Sequence, residues 1–148
     1  MVKLILNERE LQAKNSLMLL FSFLTVGLAN MLVIYIANLL FPTHVVLGTM
    51  SLTPFWALML ATTELSIWLT AIIPLVYYYE WKNKRNLTDK EWMGLYFIAN
   101  LVLVWGVTRF ANIYGFGVSS WVVVVVLALV LDFVQGIGMM KLSKIKIK

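Results

Sequence analysis

Three ionisable side chains, Glu64, Arg109 and Asp132, lie deep inside apolar stretches of this sequence. At membrane depth such groups each cost several kcal/mol unless they are paired or wet, so they are the first places to look for chemistry. Glu64, Asp132 and Arg109 could form a proton or ion relay, the two carboxylates as proton or cation sites and Glu64 the better partner in depth for Arg109. The competing interpretation is structural: a neutral carboxyl group bonds an amide or hydroxyl on a neighbouring helix and fixes the packing. Asn30, Asn38, Asn100, Asn112 and Gln135 add strong hydrogen-bonding groups to the same stretches, and they too avoid lipid.

Other chemistry finds little support. The chain has no cysteine, which excludes disulfides, thiolate metal sites and a cysteine nucleophile. Its single histidine, His44, has no acidic residue nearby, so a metal site there is not expected, and no cofactor is. None of the serines sits in a nucleophile elbow or shares its depth with a histidine that could act as base. No phosphate-binding glycine loop is present, and Gly115-Phe116-Gly117 reads as a tight turn. Enzymatic activity is therefore the third choice of function.

The elements that must position these residues follow from composition. Of the 148 residues, 61% are hydrophobic and 13% charged, a balance that a small soluble domain could not hide from water. Four apolar segments account for it, at residues 17–41, 54–79, 92–113 and 118–140. Each meets the roughly 20 residues that a bilayer crossing needs. All four should be helices, since helices and closed barrels alone satisfy the backbone in hydrocarbon. The expected fold is an all-α, single-domain integral membrane protein, an up-down-up-down bundle of four helices. Residues 1–16 form an amphipathic lead containing a short helix over residues 8–14, residues 80–91 a loop, and residues 141–148 a basic tail.

Local signals mark the ends. Thr53-Pro54 supplies an N-cap and a proline at the first helical position. Thr88 and Glu91 form a capping box. Pro74 cannot donate to the Thr70 carbonyl and should kink the second span.

Charge sets the orientation. Eleven of the twelve Lys and Arg residues fall before the first span, between the second and third, or after the fourth. The connections at 43–53 and 114–117 carry no charged side chain. The positive-inside rule then places both termini and the central loop in the cytoplasm, as in a plasma-membrane protein. The net charge of +5 is an orientation signal that also attracts anionic lipid, and nucleic-acid binding is not expected. The sequon Asn86-Leu87-Thr88 falls in the cytoplasmic loop, and Gly27-Leu28-Ala29 lies too early in its apolar run to be a cleavage site.

Helical spacing arranges the polar residues. Counting from the outer ends at about 1.5 Å per residue puts Asn30 and Glu64 in one layer. Asn100 and Asp132 fall in a second, slightly nearer the cytoplasm, and Arg109 near the outer surface. Gly27, Asn30 and Ala37 form one small-residue stripe, and Ala128, Asp132, Gln135 and Gly136 another. Thr63, Ser66 and Thr70 line one side of the second span, with Glu64 offset. Asn100 and Arg109, nine residues apart, point from opposite faces of the third span, Arg109 sharing its face with Trp105 and Asn112 and able to stack on the indole. A helix polar on both faces wants its second face covered. The leading expectation is a non-enzymatic membrane subunit that associates with itself or with another membrane protein. The alternative is a small oligomeric transporter or channel using Glu64 and Asp132, and Arg109 snorkelling to the headgroups remains open beside both.

Overall fold

The computed structural model describes the backbone of residues 2–144 and the side chains of residues 15–144, Ser143 excepted. Helix α1 spans Val2–Leu40, α2 Pro54–Asn83, α3 Asp89–Arg109, the single-turn α4 Ala111–Tyr114 and α5 Trp121–Lys144. Two three-residue strands, β1 (Val45–Leu47) and β2 (Phe116–Val118), complete the described chain. Four helices are long and apolar enough to cross a membrane, over Asn15–Leu40, Pro54–Asn83, Asp89–Arg109 and Trp121–Leu142. The protein is an all-helical, multi-pass membrane protein.

The helix starts obey their local signals. Thr53 caps α2 by accepting from the Trp56 N–H, with Pro54 behind it. At α3 the Thr88 hydroxyl accepts from the Glu91 N–H, and the Glu91 carboxylate accepts from the Thr88 N–H at 2.8 Å. Helix α2 continues through Pro74 and stops at Lys84, whose left-handed backbone (φ 50°) sends its N–H back to the Glu80 carbonyl.

Several boundaries differ from the sequence-based expectation: α2 runs on to Asn83 and α3 starts at Asp89, so the expected loop 80–91 shrinks to residues 84–88, and α5 runs to Lys144 rather than residue 140. Helix α1 has no break between residues 14 and 17, so the lead is continuous with the first span. Once a helix is nucleated each further residue adds a bond, and neither Gly nor Pro stands before Gly27. The amphipathic character expected of the lead, and tail residues 145–148, lie outside what the structure describes. The third helix ends at Arg109 rather than residue 113, because Phe110 leaves helical geometry (φ −102°, ψ 39°) before α4 begins. The fourth begins at Trp121 rather than residue 118, because Val118 belongs to β2.

The strands form an antiparallel ribbon in the register Val45↔Val118, Val46↔Gly117 and Leu47↔Phe116. Residues read as an open loop and a tight turn are thus paired across some 70 positions of sequence. The ribbon is fastened by Gly48 N–H to the Gly115 carbonyl (2.7 Å) and Ser119 N–H to the His44 carbonyl (3.0 Å). The His44 ring and Ser119 hydroxyl add a bond of 2.9 Å, and Asn38 donates to the Val45 carbonyl at 2.8 Å. Val45, Leu47 and Phe116 turn inward and cap the main core, where they meet Ile34, Ala57 and Val107. Gly115 is required there: its φ is +68°, and a Cβ would come within 2.6 Å of the Ala57 Cβ.

Helix α1 packs against α2 and α5, and α3 against α5 and α2. A second, smaller core gathers Val26, Leu69, Ile73 and Tyr96 at the opposite end from the ribbon. Large apolar side chains such as Leu28, Leu39 and Phe133 stand outward, each about two-thirds exposed. That surface suits hydrocarbon, where the helices are held by close packing and polar contacts rather than by expulsion of water.

Candidate functional site

The centre of the bundle is polar, and every spanning helix contributes to it. Asn30 of α1, Ser66 of α2, Asn100 of α3 and Gln135 of α5 are all buried, none more than 1% exposed. The Gln135 amide nitrogen donates to Asn30 Oδ1 at 2.6 Å and to Asn100 Oδ1 at 3.1 Å. Asn100 Nδ2 returns a bond of 2.9 Å to Gln135 Oε1, making a reciprocal amide pair. Asn30 Nδ2 donates to the Ser66 hydroxyl at 3.0 Å, and that hydroxyl donates to the Thr62 carbonyl at 2.6 Å. Four side chains on four helices thus close one hydrogen-bonded chain. No titratable group belongs to it.

Close contacts between helices allow the meeting. Gly27 stands one turn from Asn30, and a Cβ there would lie 3.5 Å from the Ser66 hydroxyl. On α5 the tight approach falls at Gly138, whose Cβ would come within 2.9 Å of a Thr25 methyl. The stripe expected through Gly136 is open at that residue, with nothing within 4 Å of its Cβ position. On α2 the inward polar residues are Thr62 and Ser66, whereas Thr63 is exposed. The Thr70 hydroxyl is buried with no hydrogen-bond partner among the described residues, one turn before Pro74.

One polar layer replaces the expected two. Asn30 and Asn100 share a level because α3 ends at Arg109. Counted from the true helix ends, Asn100 is nine residues from Arg109 and Asn30 ten from Leu40, both about 14–15 Å. Measured from the same layer toward the ribbon, Glu64 lies about 3 Å away, Asp132 about 4.5 Å and Arg109 about 13.5 Å.

None of these three charged residues enters the core. Glu64 is half-buried and accepts a 2.9 Å bond from the Trp68 indole one turn on. Asp132 is half-buried and makes no hydrogen bond or ion pair with another described residue. Arg109 is exposed in the last turn of α3, its guanidinium 4.9 Å from the centre of the Trp105 ring. Asn112, expected on the same face, belongs instead to α4 beyond the Phe110 break. The ion pair among the described residues joins Arg85, in the loop between α2 and α3, to Glu91 in the first turn of α3. No cluster of three or more His, Asp or Glu side chains that could hold a metal forms among them.

The structure therefore brings together Asn30, Asn100 and Gln135, and leaves Glu64, Asp132 and Arg109 outside that network, with no ion pair or hydrogen bond among the three. Ser66 is the fourth member that the sequence argument left in a side stripe. Its i, i+4 spacing from Thr62, on the face with Leu58 and Leu65, is the signal that singles it out. The chain matches no known protein family, no curated protein and no solved structure.

Proposed function

We propose that this is a non-enzymatic subunit of the plasma membrane, an up-down-up-down bundle with both termini in the cytoplasm, which associates with itself or with another membrane protein. One observation carries the reading: Asp132 stands half-buried in a membrane-length apolar helix with no hydrogen-bond or ion-pair partner among the described residues. The central layer is neutral and closed, so it asks for nothing further. The charged groups on the flanks do, because lipid satisfies none of them. A second helix laid against α5 or α3 would remove that cost.

The test compares wild type with Asp132→Leu and Arg109→Ala in mild detergent. The proposal expects a complex of defined size that the substitutions weaken, with the unfolding midpoint of the separated chain unchanged. A wild-type chain that runs as a monomer and yields no crosslinked species defeats it.

The transporter reading keeps one supporting observation. Glu64 and Asp132 lie at nearly the same depth, on α2 and α5, so an oligomer could set carboxylates of different copies side by side. It expects Glu64→Gln or Asp132→Asn to abolish proton-coupled flux in liposomes while complex size is retained. Loss of assembly with no flux in wild type favours the subunit reading.

A further inference from the structure

A cleft of about 500 Å³ opens between α2 and α3, at the end of the bundle opposite the ribbon. Its walls are Ile72, Leu75 and Val76 of α2 and Leu95 of α3. Leu87 of the connecting loop and the Arg85–Glu91 pair lie at its mouth. From Ile72 to Tyr79 the wall runs about 10 Å along α2, too short for a second helix, whose own diameter is about 10–12 Å, to lie along it.

The mouth is built rather than incidental. Glu80 accepts the Leu87 N–H at 2.7 Å, and the capping box holds the Glu91 carboxylate in place. One Glu91 oxygen takes both Thr88 donors, and the other takes one Arg85 nitrogen. The Arg85 side chain is 63% exposed, and among the described residues a single one of its nitrogens is engaged, although the guanidinium carries five N–H donors. Lys82 and Lys84 stand within three residues of it. The site thus pairs an apolar slot at bilayer depth with a fixed guanidinium at headgroup depth, and Tyr77, Trp81 and Trp92 mark that depth as the interface.

We propose that this cleft holds one acyl chain of an anionic phospholipid whose phosphate rests on Arg85. The guanidinium fork suits a phosphate, and its prior engagement with Glu91 sets its position. The site makes the protein selective for an anionic lipid at one place, beyond the diffuse attraction of its basic segments. The inference rests on the four helices crossing a bilayer and is independent of the association proposed above.

The full chain, purified in mild detergent and stripped of lipid, is titrated with phosphatidylglycerol, phosphatidylcholine or glycerol phosphate, and bound molecules are counted by native mass spectrometry. Phosphatidylglycerol should bind more tightly than phosphatidylcholine, by about fivefold or more, the effect of one interfacial charge. Leu95→Trp, which fills the slot without altering charge, should abolish the preference. Val76→Phe serves the same purpose should the tryptophan variant fail to fold. Arg85→Lys should weaken binding although it keeps the charge, whereas Lys141→Ala should not. Equal binding of the two lipids overturns the proposal, as do unchanged affinity in folded Leu95→Trp and Val76→Phe, or glycerol phosphate binding as tightly as the lipid. Complex size recorded in the same spectra separates this outcome from that of the association.

Discussion

Replacing Gln135 with leucine conserves its approximate volume and removes three hydrogen bonds from the centre of the bundle, one to Asn30 and two to Asn100. Interhelical hydrogen bonds in membrane proteins average about 0.6 kcal/mol each, which gives about 2 kcal/mol for the set. The larger effect comes from what remains. Asn100 loses both its donor and its acceptor while still fully buried, and an amide left unpaired in that way costs about 1–3 kcal/mol more. Gln135→Leu should therefore destabilise the protein by about 3–5 kcal/mol. The assay is reversible unfolding in mixed detergent micelles, followed by tryptophan fluorescence. The double variant Asn100→Leu/Gln135→Leu removes both partners and leaves no orphaned pair there, so it should cost less than the sum of the single changes by about 1–3 kcal/mol. A Gln135→Leu protein within about 0.5 kcal/mol of wild type, or single costs that simply add, would refute the closed network as a source of stability.

Three further substitutions probe two close glycine contacts and a helix cap. Gly115→Ala forces a side chain onto a left-handed backbone and into Ala57, so it should cost at least about 1–2 kcal/mol in the same titration; a neutral result would mean that the ribbon does not fix this turn. Gly138→Ala presses on the Thr25 methyl, which cannot easily turn away because the Thr25 hydroxyl is bonded to the Phe21 carbonyl. It should cost about 1–3 kcal/mol as overpacking, and adding Thr25→Ser, which deletes the methyl and keeps the hydroxyl, should restore most of it. Thr88→Ala breaks the capping box of α3 and should lower stability by about 1 kcal/mol, with faster amide exchange confined to the first turn of α3 as its local signature.

Much of this molecule can be read from the order of its residues. Apolar runs of the right length announce four helices, and Thr53-Pro54 and Thr88–Glu91 mark two of their starts, because capping depends on side chains three residues apart. The stacking of Arg109 on Trp105 follows from a four-residue spacing on one helix in the same way. Asn30, Asn100 and Gln135 stand out as polar residues in apolar surroundings. The ribbon is not legible, since three-residue strands are too short to show alternation and their pairing joins segments far apart in sequence. The Phe110 break is equally silent, with neither glycine nor proline between Val107 and Ala111. Missing it displaced the depth of Asn100 and split one polar layer into two.

By itself, then, the sequence determined what the chain is made of: four apolar helices, their caps, and a small set of polar residues that hydrocarbon cannot solvate. These depend on composition and on contacts within a turn or two. The tertiary structure alone decided which polar residues meet. Asn30, Ser66, Asn100 and Gln135 converge because four helices cross at one level with small residues between them, while Glu64, Asp132 and Arg109 stay outside that network. The reason is geometric: rotation and depth of a helix in a bundle are set by what it packs against, and no spacing within one helix carries that information.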